Sequence, residues 1–144
     1  MRRTYSILIL LLLAAPLLAQ TVEQLKAEAD RAGSNQAKAS AEFAERLVEV
    51  ADKQFSNGQS VNGHQTVEEI LKYATQARDL AVKNRKKMKE TEIHLRRCRH
   101  RLENMRRTLA AEDRPAVEAV EKKLEQFGED ILEAMFSSPK KEQK

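Results

Sequence analysis

The stretch from Val67 to Leu109, VEEILKYATQARDLAVKNRKKMKETEIHLRRCRHRLENMRRTL, decides the fold. Apolar or small residues recur in it every seven positions on two rows. The first is Val67, Ala74, Ala81, Met88, Leu95, Leu102 and Leu109. The second, three positions on, is Ile70, Ala77, Asn84, Thr91, Cys98 and Met105. A heptad period sustained over this length without Pro or Gly predicts one continuous helix over about 65–110 with a coiled-coil-like seam. At about 1.5 Å per residue that helix would be roughly 65 Å long, so the molecule is expected to be elongated.

Upstream, Phe43, Leu47, Val50, Ala51 and Phe55 recur at steps of three and four, which predicts a helix over 35–57. The stripe runs back through Ala39, Ala32, Ala29, Leu25 and Val22, but Gly33-Ser34-Asn35 interrupts it. Residues 20–34 are therefore expected to be a weaker, fraying extension. The Gly, Asn and Ser content of Ser56 to His64 reads as a loop. Downstream, Asp113-Arg114-Pro115 is a helix start, with Asp113 expected to cap the free amides and Pro115 in the first turn. Val117, Val120, Leu124, Phe127 and Ile131 then mark a helix over 114–136. The tail 137–144 has nothing apolar to bury and is expected to be disordered. Short connections make successive helices antiparallel, so the fold class expected is all-α: an elongated three-helix bundle over 35–136 with one long central helix. In it Phe43, Leu47 and Phe55 would fill the space that Ala74, Ala77 and Ala81 leave.

The 144 residues hold four Gly and no Trp, with aromatics at 4%. Such a composition suits helices, excludes sandwiches, barrels and α/β folds, and leaves little material for a concave catalytic pocket. Arg2 and Arg3, an apolar run from Ile7 to Leu18 and then Ala19 form a secretory signal peptide over 1–19, cleaved near Ala19. Export to the periplasm or the extracellular space is expected, with no transmembrane domain in the mature form. Leu17 is a poor residue three before the cut, which leaves an uncleaved anchor open. No Cys follows Ala19, so a lipid-anchored form is unsupported.

The formal charge of +4 conceals an uneven distribution. Residues 83–107 carry eleven Lys and Arg against Glu90, Glu92 and Glu103, a local +8, whereas 20–82 and 108–144 are each −3. Within this belt Lys86, Lys87, Arg96, Arg97, Arg99, Arg101, Arg106 and Arg107 are the candidate binding residues. Two readings are open. The bases pair with acids of the next helix, such as Glu118, Glu121, Glu125 and Glu129, and otherwise face water. Alternatively they form a site for a polyanion, from which condensed counterions are released on binding. Without interleaved aromatics or a recognised motif, a specific nucleic-acid target is not expected.

Cys98, the lone cysteine, lies on the inner row of the long helix and reads as a small core residue or, in an exported chain, as a partner for an intermolecular disulfide. Glu90, His94 and Cys98 follow at i, i+4 and i+8 along one ridge. With His100 facing elsewhere and no second Cys, they fall short of a closed metal site, so no metal is expected. His64 reads as a capping or solvated residue. No nucleophile motif or Gly-rich phosphate loop is present, and the pairs Glu68-Glu69 and Glu112-Asp113 sit where helix starts favour negative charge. No catalytic residue, cofactor or enzymatic activity is expected.

The organisation, and the segment Ala111 to Glu118 in particular, resembles small α-helical proteins that bacteria export, a resemblance that implies no activity. In outline the chain is similar to periplasmic helical-hairpin stress chaperones, but lacks their Leu-Thr-x-x-Gln motif. The helices flanking the Ser56 to His64 loop are also similar to one tetratricopeptide-type hairpin, with no second copy at the required period. The expected function is a non-enzymatic interaction protein with a basic face for a protein or an anionic envelope component. A chaperone or metal- or stress-responsive accessory protein, and a structural coiled-coil homo-oligomer, are the alternatives.

Overall fold

A computed structural model describes residues 21–139. The signal peptide read over 1–19 and the end of the tail, 140–144, lie outside them. The fold is all-α, with α1 (Val22–Asp30), α2 (Gln36–Ser56), α3 (Ser60–Asn84), α4 (Met88–Thr108) and α5 (Arg114–Phe136). Five helices stand where three were expected.

The main correction concerns the long helix. It is broken after Asn84, and α4 begins at Met88. Arg85 and Lys87 both take left-handed backbone angles, φ 52° and 55°. No Gly or Pro marks the break, and its cause lies in packing. A straight helix carries the apolar residues from Met88 to Leu109 beyond the reach of α2. Turning back buries Met88, Thr91, Leu95, Cys98, Leu102 and Met105. The heptad rows are nonetheless core residues on both sides of the break, from Val67 to Leu109, with the exposed Asn84 as the exception. The seam was correct and its continuity was not. At 25 residues α3 is about 37 Å long, so the molecule is shorter than expected.

Helices α2 and α3 form one antiparallel hairpin and α4 and α5 a second. The two are layered so that α2 lies along α4 and α3 along α5, while α3 and α4 barely touch across the diagonal. Within each layered pair the helices are parallel. Glu45 and Glu49 of α2 meet His94 and Arg101 of α4, and Ser60 and Arg78 of α3 meet Asp113 and Asp130 of α5.

Packing inside the first hairpin is close because its facing residues are small. Ala37, Ala41, Ala44 and Ala51 of α2 and Ala74, Ala77 and Ala81 of α3 are all buried. Phe43 is buried as expected, its ring edge-on to Tyr73 at 4.6 Å between centroids. Phe55 is only partly buried. It lies over Gly63, where a Cβ would come within 2.7 Å of the ring. Gly63 and His64, expected in a loop, belong to the first turns of α3, which starts at Ser60. Gly63 serves a close helix–helix contact and not a turn.

The segment expected to fray is a capped and docked helix. Thr21 and Gln24 form a capping box at the start of α1, and Leu25 and Ala29 are buried. The Ala29 carbonyl accepts from Gln36 Nε2 at 3.1 Å and from Gln76 Nε2 at 3.0 Å. Tyr73 Oη donates to Asp30 Oδ1 at 2.7 Å, which ties α1 to α3 as well as α2.

Candidate functional site

The expected basic belt divides by residue type. Its arginines are largely consumed within the fold. Arg106 Nε donates to Glu121 Oε2 of α5 at 2.6 Å, and this hydrogen bond raises the guanidinium pKa further. Arg99 reaches Glu125 of α5 at 3.3 Å. Arg101 bridges Glu45 and Glu49 of α2 at 3.2 and 3.0 Å. Arg107 bonds Glu103 one turn back at 2.7 Å and holds that carboxyl below its ordinary range, while Arg96 stands 3.7 Å from Glu92. Of the acids named from the sequence, Glu121 and Glu125 meet the belt, whereas Glu118 pairs with Lys122 in its own helix.

Other bases of the run are not spent this way. Lys83, Lys86, Lys89 and Arg97 are exposed and make no ion pair among the described residues. Lys87 has only an exposed 4.0 Å approach to Glu90, a pair worth little in water. All but Arg97 cluster around the α3–α4 turn, because the left-handed residues swing the backbone through a tight reversal there. The sequence grouped all of these bases as one belt along a single long helix. The break separates them into an arginine set along α4, paired apart from Arg97 with acids of α2, α5 and α4 itself, and a lysine set at one end of the stack.

Three further features meet at that end. Arg85 Nη2 donates to the Ser137 carbonyl at 3.0 Å, which fixes the end of α5 against the turn. Phe136, 86% exposed, is the neighbour of Ser137. Lys87 also borders a cleft with Arg31, Lys38, Glu28 and Glu42 at the α1–α2 connection. Arg31, Lys38 and Phe136 had no signal in the heptad pattern, since the approach of their helix ends depends on the break. The local acids are Glu28, Glu42, Glu90 and Glu133, so the end is basic without being uniformly so.

Two polar clusters join the hairpins. In the first, His94 Nδ1 lies 2.6 Å from Glu45 Oε2, beside Arg101 and the fully buried Cys98. Burial drives the Cys98 thiol pKa far up, so it is neither a nucleophile nor available for an intermolecular disulfide in this state. Along the Glu90–His94–Cys98 ridge, Glu90 faces solvent near Lys87 while His94 turns to Glu45, so the three do not converge. Among the described residues no group of three or more His, Cys, Asp or Glu is placed to hold a metal ion.

The second cluster is centred on Asp113. Its carboxylate was expected to cap α5, but no side-chain capping bond forms. It accepts from Ser60 Oγ at 3.3 Å and lies 2.7 Å from His64 Nε2 instead. The parallel α3 and α5 both start at this end, so one carboxylate serves their two positive helix ends. Ser60 bonds Asp113 directly and not through His64, which is not the order of a nucleophile, base and orienting acid.

Among the described residues no helix is long and apolar enough to cross a membrane. The chain matches no known protein family, no curated protein and no solved structure.

Proposed function

We propose that the protein is an exported, non-enzymatic interaction protein that takes an anionic partner at the end of the stack formed by the α3–α4 turn. The supporting observation is that the arginines of α4 other than Arg97 stand against acids of the fold, whereas Lys83, Lys86 and Lys89 stand unpaired around a single turn. Lysines on flexible stems act as point charges and suit a diffuse polyanionic surface better than bidentate recognition of one group. Phe136 adds an apolar contact beside them.

The alternatives have less behind them. The heptad seam, which a coiled-coil oligomer would use, is covered by α2 and α5. The large apolar residues exposed among the described ones are Val61, Val82, Leu132 and Phe136, little apolar surface with which a chaperone would hold an unfolded client.

Binding to heparin as a model polyanion tests the reading. Affinity is expected to fall steeply with salt, and the Lys83→Glu, Lys86→Glu, Lys89→Glu triple variant to lose more than tenfold in affinity and most of the salt slope. Wild-type binding by that variant, or no salt-dependent binding by the parent chain, overturns it. Export is tested separately by the mass of the protein recovered outside the cytoplasm, expected to begin at Gln20.

A further inference from the structure

The α3–α4 turn is strained, carries no residue suited to its backbone, and interrupts a heptad pattern that runs through it. Arg85 and Lys87 have φ of 52° and 55°, where a side chain on Cβ is disfavoured and Gly is the usual occupant. The core positions Ala81 and Ala77 before the turn continue in heptad register as Met88 and Cys98 after it. The helices joined by the turn barely touch. What holds the second hairpin in place is its layering on the first, through pairs such as Glu45 with His94, Arg101 with Glu49, Arg78 with Asp130 and His64 with Asp113.

None of those contacts requires both hairpins to belong to one chain. We infer that the partner of the inter-hairpin surface can be a second copy of this chain: the turn straightens into one helix over 60–108, and two copies exchange their α4–α5 hairpins. Each exchanged hairpin remakes the α2–α4 and α3–α5 contacts on the other copy. Straightening removes two left-handed residues per chain and adds helical backbone hydrogen bonds, and the lost α3–α4 contact is slight. Short connections under strain are where such exchange starts.

The same residues hold the exchange in check. The two straightened helices cross at their middles, bringing Lys83, Arg85, Lys86, Lys87 and Lys89 of both copies together. Ten clustered bases repel at low ionic strength and much less when salt screens them. The basic turn thus keeps the chain monomeric at low salt, and the exchanged dimer gains as salt rises.

The test uses the chain from Gln20 to Lys144, which contains every described core residue, with mass measured by light scattering across protein and salt concentration. The Arg85→Ala, Lys86→Ala, Lys87→Ala variant favours helix and removes six of the ten clustered bases. Its dimer dissociation constant is expected to be at least about tenfold below that of the parent chain, a difference of about 1.4 kcal/mol. The Arg85→Gly, Lys87→Gly variant suits the turn and disfavours the straight helix, and is expected to remain monomeric. Exchange is told from side-by-side association by cysteines placed at Glu49 and Arg101, which face each other across the hairpins. Oxidised dimer that runs as a covalent dimer supports exchange, and dimer that runs as monomer overturns it. An alanine variant that stays monomeric at high protein and salt also overturns it, as does a glycine variant that dimerises equally well.

Discussion

Gly63 shows how a single residue sets the spacing of two helices. It lies in the first turns of α3 under the ring of Phe55, and an added Cβ would sit 2.7 Å from that ring. Gly63→Ala gains about 1 kcal/mol of helix propensity but displaces the ring or separates α2 from α3, which typically costs about 1–3 kcal/mol. A net loss near 1 kcal/mol is expected in chemical denaturation, and Phe55→Leu in the same chain should recover it by removing the clash. Leu95, fully buried, is the opposite case, a large side chain with no room for change. Leu95→Asp places an unpaired carboxylate among apolar neighbours and should lower stability by at least about 3 kcal/mol, read as a lowered midpoint in urea.

At the scale of the element, the heptad rows from Val67 to Leu109 identified almost every inward-facing residue of two helices but concealed that there were two. Periodicity reports which face is buried, and that information survives a tight reversal that keeps the phase. Position 84 carried the warning, since Asn84 stands on an otherwise apolar row and three bases follow it. The lysine set was legible as charge but not as a cluster apart from the arginines, because that separation depends on the break after Asn84. Asp113 was recognised as a helix-start residue, yet its carboxylate serves a helix that begins 53 positions earlier, a contact with no local signature. Substitution at Lys87 discriminates the broken helix from the continuous one by sign. In a helix interior Lys87→Gly would cost about 1 kcal/mol, but at φ 55° it should stabilise the fold by about 0.5–1 kcal/mol, measured by thermal unfolding.

For the molecule as a whole, pH acts first through the attachment of α1. Hydrogen bonds from Lys26 and Tyr73 hold the Asp30 carboxyl below its ordinary value of 3.8. A depressed carboxyl pKa means that the folded state binds the proton less readily than the unfolded chain does. The stabilisation is thus complete above the ordinary carboxylate range and is lost as pH falls through it. Hydrogen exchange at pH 3 compared with pH 6, corrected for intrinsic rates, should show α1 opening before α2 and α3. In Asp30→Asn, α1 should already be loosened at pH 6, with little further change on acidification.

The layering of the two hairpins also has a kinetic consequence. The contacts that join them link residues 49 to 56 positions apart, from His64 with Asp113 and Glu45 with His94 to Glu45 with Arg101. Each hairpin can close on local contacts in microseconds, but the joint between them must await a long loop closure. The hairpins are thus expected to form early and meet late, with the His94–Glu45 and Arg78–Asp130 pairs absent from the rate-limiting barrier. Arg78→Ala should accelerate unfolding while leaving the refolding rate nearly unchanged in stopped-flow measurements. A chain assembled in this order spends part of its early life as two finished halves on a tether, exposed to any neighbour holding a matching half.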